Sequence, residues 1–149
     1  MAISAPDLTQ RAPRSPRVRL GGFVILPRML DKGRATIIGK AGEYHYACHL
    51  DHRFLDYVGI DPEKLKEQLA QDKSDAEIIA WINTNSKVKL TPPEIVAWSS
   101  YAEGQVPTSV ETRTFFSDIQ KQAAPKREDI ATWFDLLDVD DFVTFGGKA

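Results

Sequence analysis

PRSPRVRLGGFVILPR, residues 13–28, is the stretch on which the reading of this chain turns. Pro13 and Pro16 keep a long helix from forming, and Gly21-Gly22 breaks any regular strand. Val18, Leu20, Phe23, Val24 and Leu26, threaded between Arg14, Arg17, Arg19 and Arg28, all need burial. Charged and apolar residues so interleaved on irregular backbone describe an extended arm packed along its own domain. Pro27 then suits a first helical position, and Leu26, Leu30, Gly33 and Ile37 fall on one helical face.

The arm is also half of a charge asymmetry. Residues 1–40 hold eight Lys or Arg against two acids, a net of 8 − 2 = +6; residues 41–149 hold eleven against nineteen, a net of 11 − 19 = −8. The acids concentrate late: Glu128 to Asp141 carries six acids and no base. That stretch reads as the solvated face of a last helix or as an electrostatic partner for the arm, within the chain or in a homodimer.

Beyond the arm, helix signals recur. Asp51 is the expected cap of a short helix over Phe54, Leu55 and Val58 that closes at Gly59, and Asp61-Pro62 opens another. Ser74-x-x-Glu77, Thr91-x-x-Glu94 and Thr108-x-x-Glu111 carry the pattern of capping boxes. The boxes lie seventeen residues apart, and the first two continue alike, Glu77-Ile-Ile-Ala-Trp81 and Glu94-Ile-Val-Ala-Trp98. Shared capping grammar explains this better than a repeat array, which needs longer units. Ile130, Trp133, Phe134 and Leu137 follow helical spacing. The exception is Gly42 to Leu50, where Tyr44, Tyr46, Cys48 and Leu50 alternate with Glu43, His45, Ala47 and His49. Period two predicts an extended segment, paired at most with residues 17–26.

The expected fold is therefore mostly α: a compact multi-helix single domain over 1–149, with an extended basic arm (1–26) on a helical body (27–149) and at most a small β-hairpin. Tyr44, Tyr46, Phe54, Ile78, Trp81, Ile82, Ile95, Trp98, Phe115, Ile119, Trp133 and Phe134 are the expected core. The longest apolar run, Phe23 to Leu26, is far too short to cross a bilayer. One cysteine precludes an internal disulfide, and with no signal-peptide pattern the cytoplasm is the expected location. A pI near 5.9 argues against a nucleic-acid coat.

Arg14, Arg17, Arg19, Arg28, Lys32 and Arg34 are the candidate anion site, because converging cations repel one another and an anion relieves that repulsion. Asp31 and Asp51 are expected to orient them. The partner would be an anionic metabolite or an acidic protein surface. The alternatives are a small enzyme around His45, His49 and Asp51, with or without a metal, and a structural protein whose arm docks on a second copy. No metal site and no cofactor is assigned: the His45–His52 window has no second ligand group elsewhere, Asp138-Val-Asp140-Asp141 lacks the glycine and closing glutamate of a calcium loop, and Gly21-Gly22 is neither a P-loop nor a dinucleotide fingerprint.

The strings Asp7-Leu-Thr, Pro13 to Gly22, Leu26-Pro-Arg28, Asp31-Lys32 and Arg34-Ala35, with Leu50-Asp51, Arg53-Phe54, Trp133-Phe134 and Leu137-Asp138, resemble a bacterial family catalogued as domain of unknown function 5069. The resemblance spans nearly the whole chain. It implies a small bacterial cytoplasmic domain in which the arm is integral, and it supplies no catalytic residues.

Overall fold

The computed structural model describes residues 2–149, so the arm is seen from Ala2 onward. Seven helices follow in order among the described residues: α1 (Leu26–Ile37), α2 (His49–Val58), α3 (Pro62–Leu69), α4 (Asp75–Asn85), α5 (Pro92–Glu103), α6 (Val110–Ala123) and α7 (Trp133–Thr144). Helix α1 is the axis of the molecule. Leu26, Arg28, Met29, Leu30, Lys32, Gly33 and Ala35 are all buried, which no one-sided surface helix could achieve. Gly33 permits this, since a Cβ there would stand 2.6 Å from Leu69 Cδ1 on α3.

The main core forms around α1 from Phe23, Val24, Phe54, Leu55, Val58, Leu65, Leu69, Ile78, Ile82 and Phe134. Trp98 borders it, stacked on Tyr57 at 5.1 Å and edge-on to Phe23 at 6.0 Å. A satellite core of Phe116, Ala124, Ile130, Leu136 and Val139 joins α6 to α7. Of the adjacent pair Phe115 and Phe116, the inward one is Phe116. Phe115, expected in the core, is 59% exposed, because Phe116 sits edge-on to Trp133 at 5.3 Å and Phe115 lies a third of a turn away.

The arm crosses this body on specific hydrogen bonds. Leu8 N donates to Lys40 O at 2.9 Å, and Ile25 N to Pro16 O at 2.9 Å. Gly21 and Gly22, both at positive φ (58° and 85°), are the two central residues of a tight reversal closed by Leu20 and Phe23, whose N–H groups and carbonyls pair at 3.0 Å both ways. Primed hairpin turns demand this geometry. The turn lies on α4 and α5: a Cβ on Gly21 would meet Ile79 at 2.6 Å, and one on Gly22 would meet Ile95 at 2.9 Å. Buried Ser99 pins it, donating to Gly22 O at 2.7 Å and accepting from Val24 N at 3.2 Å. The double glycine here forms a tight bend. Ile25, fully buried, is held at φ 74°, a strained conformation for a β-branched residue that the surrounding core enforces.

Three local expectations are corrected. Residues 43–50 form turns and no strand; the only β pairing among the described residues is the Leu20–Phe23 bridge, so residues 17–26 do not pair with this segment. Positive φ at Gly42 and Ala47 bends the segment, and its aromatic alternation is that of two anchors: Tyr44 Oη donates to Asp141 Oδ1 at 2.8 Å and Tyr46 Oη to Pro62 O at 2.7 Å. Helix α2 starts earlier than expected, with Cys48 as cap and Asp51 at the third position of a sulfur-containing capping box. The box at α6 is Ser109 with Thr112, one residue past Thr108/Glu111. The boxes at Ser74 and Thr91 form as expected, and Thr132 with Asp135 adds another at α7.

Candidate functional site

The six candidate cations do not converge on one cavity. Each is held by a carboxylate of this chain. Arg14 reaches Asp31 (Nη2–Oδ1 3.0 Å) and Asp75 (Nη1–Oδ2 2.8 Å), and its backbone N–H also donates to Asp31 at 2.9 Å. Arg34 shares Asp75 at 2.8 Å. Arg17 pairs with Asp135 and, at 3.0 Å, with Asp138; Arg19 pairs with Glu103 at 3.0 Å. Arg28 forks onto Asp141 at 2.7 and 3.3 Å, and Lys32 meets Asp51 at 2.9 Å. Asp31 orients Arg14, whereas Asp51 orients Lys32 and none of the arginines. The acids of α7 answer the arm and α1 within the one chain.

Two of these pairs are buried and form knots. In the first, the Arg28–Asp141 fork also receives the Tyr44 hydroxyl, and the guanidinium stands 5.5 Å from the centre of the Tyr44 ring. Burial raises the Tyr44 phenol well above its ordinary value, and the hydrogen bond to Asp141 adds to that rise. Burial, followed by the charge of Asp141, likewise raises the Asp140 carboxyl. In the second knot Lys32 Nζ lies between Asp51 Oδ2 and Cys48 Sγ, 3.3 Å from the sulfur. Asp51 Oδ2 also accepts from the Cys48 amide at 3.3 Å, while its Oδ1 is buried without a hydrogen-bond partner.

The partly exposed pairs behave differently. Burial raises the Asp75 carboxyl, but hydrogen bonds from Arg14 and Arg34 outweigh it and hold Asp75 below the usual carboxylate range. At Asp135 burial is again opposed, here by the Thr132 and Ala131 amides, the Thr132 hydroxyl and Arg17, and the net shift is downward.

His45 and His49 are exposed, and His52 pairs with Asp56 at 3.2 Å. Asp51, committed to Lys32 beneath the surface, is not gathered with them into one open site. Among the described residues no three His, Cys, Asp or Glu side chains come together as a metal-holding group. No helix of the described residues is long and apolar enough to cross a membrane.

Arg11 is the arm cation that sequence reasoning left out of the site. It is exposed and enters none of the ion pairs among the described residues. It borders two grooves, one of about 470 Å³ along Ser4, Arg34, Lys73 and Glu77, the other of about 400 Å³ beside Pro13, Phe142 and Phe145. Phe142 and Phe145 are 57% and 37% exposed. Its local signal was weak: Arg11 is flanked by Gln10 and Ala12, with no large apolar side chain beside it to call its segment inward.

A family model matches residues 10–143. The chain belongs to that family, Domain of unknown function (DUF5069). The matched region of this DUF5069 chain starts in the arm, one residue before Arg11, and ends on α7, the two elements that the ion pairs tie together. A comparison with curated proteins finds no match.

Proposed function

We propose that this DUF5069 chain is a binding module for an acidic protein segment and that Arg11, not the clamped arginines, is its contact. One observation carries the reading: among the described residues Arg11 alone of the arm's arginines has no carboxylate partner, and it lines one groove with the exposed Phe142 and Phe145. A guanidinium beside two aromatic faces suits a peptide carrying a carboxylate next to an aromatic or aliphatic side chain. Asp138 and Asp141, which also border this groove, are occupied by Arg17 and by Arg28 with Tyr44, so their charge is offset locally. A ligand aimed at the clamped arginines would first have to displace a carboxylate already in place. A single free cysteine suits a reducing, cytoplasmic setting for such a module.

The test is a fluorescence-anisotropy titration with an acetylated peptide of alternating glutamate and phenylalanine. Saturable binding that weakens about tenfold in Arg11→Ala and Phe142→Ala, both exposed positions, is expected. Equal affinity for the wild type and both variants, or no binding, would remove the reading.

A further inference from the structure

A separate cleft lies between α4 and α5, next to the glycine turn, whose Gly22 abuts Ile95. It encloses about 360 Å³ and is bordered by Phe23, Val58, Ile82, Val88, Leu90 and Ile95. Its floor is the main core itself: Phe23, Val58 and Ile82 are 2%, 1% and 0% exposed. Its mouth is built and fixed. The Ser86 hydroxyl donates to Val58 O at 3.0 Å and accepts from Val88 N at 3.3 Å, while Lys87 N donates to Val58 O at 2.9 Å. The loop between α4 and α5 is thereby tied to the end of α2, and the cleft is preformed.

The polar residues of this cleft are few and of one sign. Ser86 is committed to backbone, leaving Asn83 and Lys89, both exposed. Lys89 is the one charged side chain on the wall, no acid borders the cleft, and Lys89 enters no ion pair among the described residues. An apolar hollow at the small end of the ligand-pocket range, with one convergent cation and an amide at its rim, has the chemistry of a small-molecule site. The complementary ligand has an apolar body and a single terminal anion. From these observations we infer that the α4–α5 cleft binds a small amphiphilic carboxylate, its tail over Phe23 and Ile82 and its carboxylate on Lys89 and Asn83. This site is separate from the Arg11 groove and uses none of its residues.

The probe is octanoate, with 1-octanol as its neutral counterpart, titrated into the full chain and followed through the amide resonances of Val88, Lys89 and Leu90. Saturable shifts centred on these amides are expected for octanoate. Lys89→Gln, a change at an exposed side chain, should weaken octanoate about tenfold and leave octanol within about twofold. Octanoate binding unchanged in Lys89→Gln would overturn the inference. So would shifts centred on Arg11 and Phe142, or a titration without saturation.

Discussion

Lys32–Asp51 and Arg17–Asp138 are the same kind of contact at nearly the same separation, 2.9 and 3.0 Å. Their surroundings differ. The first pair has side chains 4% and 0% exposed, the second 41% and 38%. Water competes for the exposed pair, and its net worth is about 0–1 kcal/mol. The buried pair has no such competitor, so losing one member strands a charge in the core. Charge complementarity therefore does two jobs in this chain. Around α1 it makes the core intolerant of change; along the outer arm it sets where the arm lies at small energetic gain.

The largest effect is expected where the charge is stranded. Lys32→Met or Asp51→Ala alone should destabilise the chain by about 3–5 kcal/mol in urea unfolding, whereas Lys32→Met with Asp51→Leu should cost much less than the sum. Additive losses would dissolve the contrast between the two sets. Next comes the glycine turn that lays the arm on α4 and α5. Gly22→Ala forces a Cβ into a positive-φ position 2.9 Å from Ile95 and should cost about 1–3 kcal/mol in the same assay. At the small end, Arg17→Ala and Arg19→Ala should each change stability by no more than about 1 kcal/mol, an effect that shrinks further at high salt.

Acid separates the two sets in another way. Asp75 is held below its ordinary 3.8 in the folded chain, so the Arg14 and Arg34 clamp stabilises fully above that value. The stabilisation is lost as pH falls through the lower folded value. Thermal unfolding of Asp75→Asn should therefore show a shallower loss of stability below about pH 4 than the wild type. Parallel acid limbs would assign the clamp no role.

Most of this architecture was readable from local chemistry. Ser74 with Glu77, Thr91 with Glu94, Pro27 and Gly59 each act within one turn of backbone, and each appears where its chemistry requires. The failures share a cause as well. Tyr44 and Tyr46 alternate like a strand because each anchors to a distant partner, Asp141 and Pro62, across a backbone that Gly42 and Ala47 bend. Cys48 caps α2 although thiols are not favoured caps, since Lys32 and Asp51 surround it. Thr132 was hidden because aspartate rather than glutamate stands three residues on. Phe115 and Phe116 are one residue apart, and helical periodicity alone does not choose between them. For the candidate site, the complementarity of arm and α7 was visible in the charge split. Which acid takes which arginine was not, because Arg17–Asp135 and Arg28–Asp141 span more than a hundred residues. Arg11 stands out only once the others are seen to be paired.

The central claim is that the arm is part of the fold, clamped by the chain's own acids. Native-state hydrogen exchange tests it most directly at three amides: Leu8, bonded to Lys40 O; Arg14, bonded to Asp31; and Ile25, bonded to Pro16 O. Protection of Ile25 comparable to the centre of α1, with lesser but measurable protection of Leu8 and Arg14 that is lost at Arg14 in Asp31→Ala, is the predicted result. Exchange of all three within the dead time, while α1 stays protected, would contradict it.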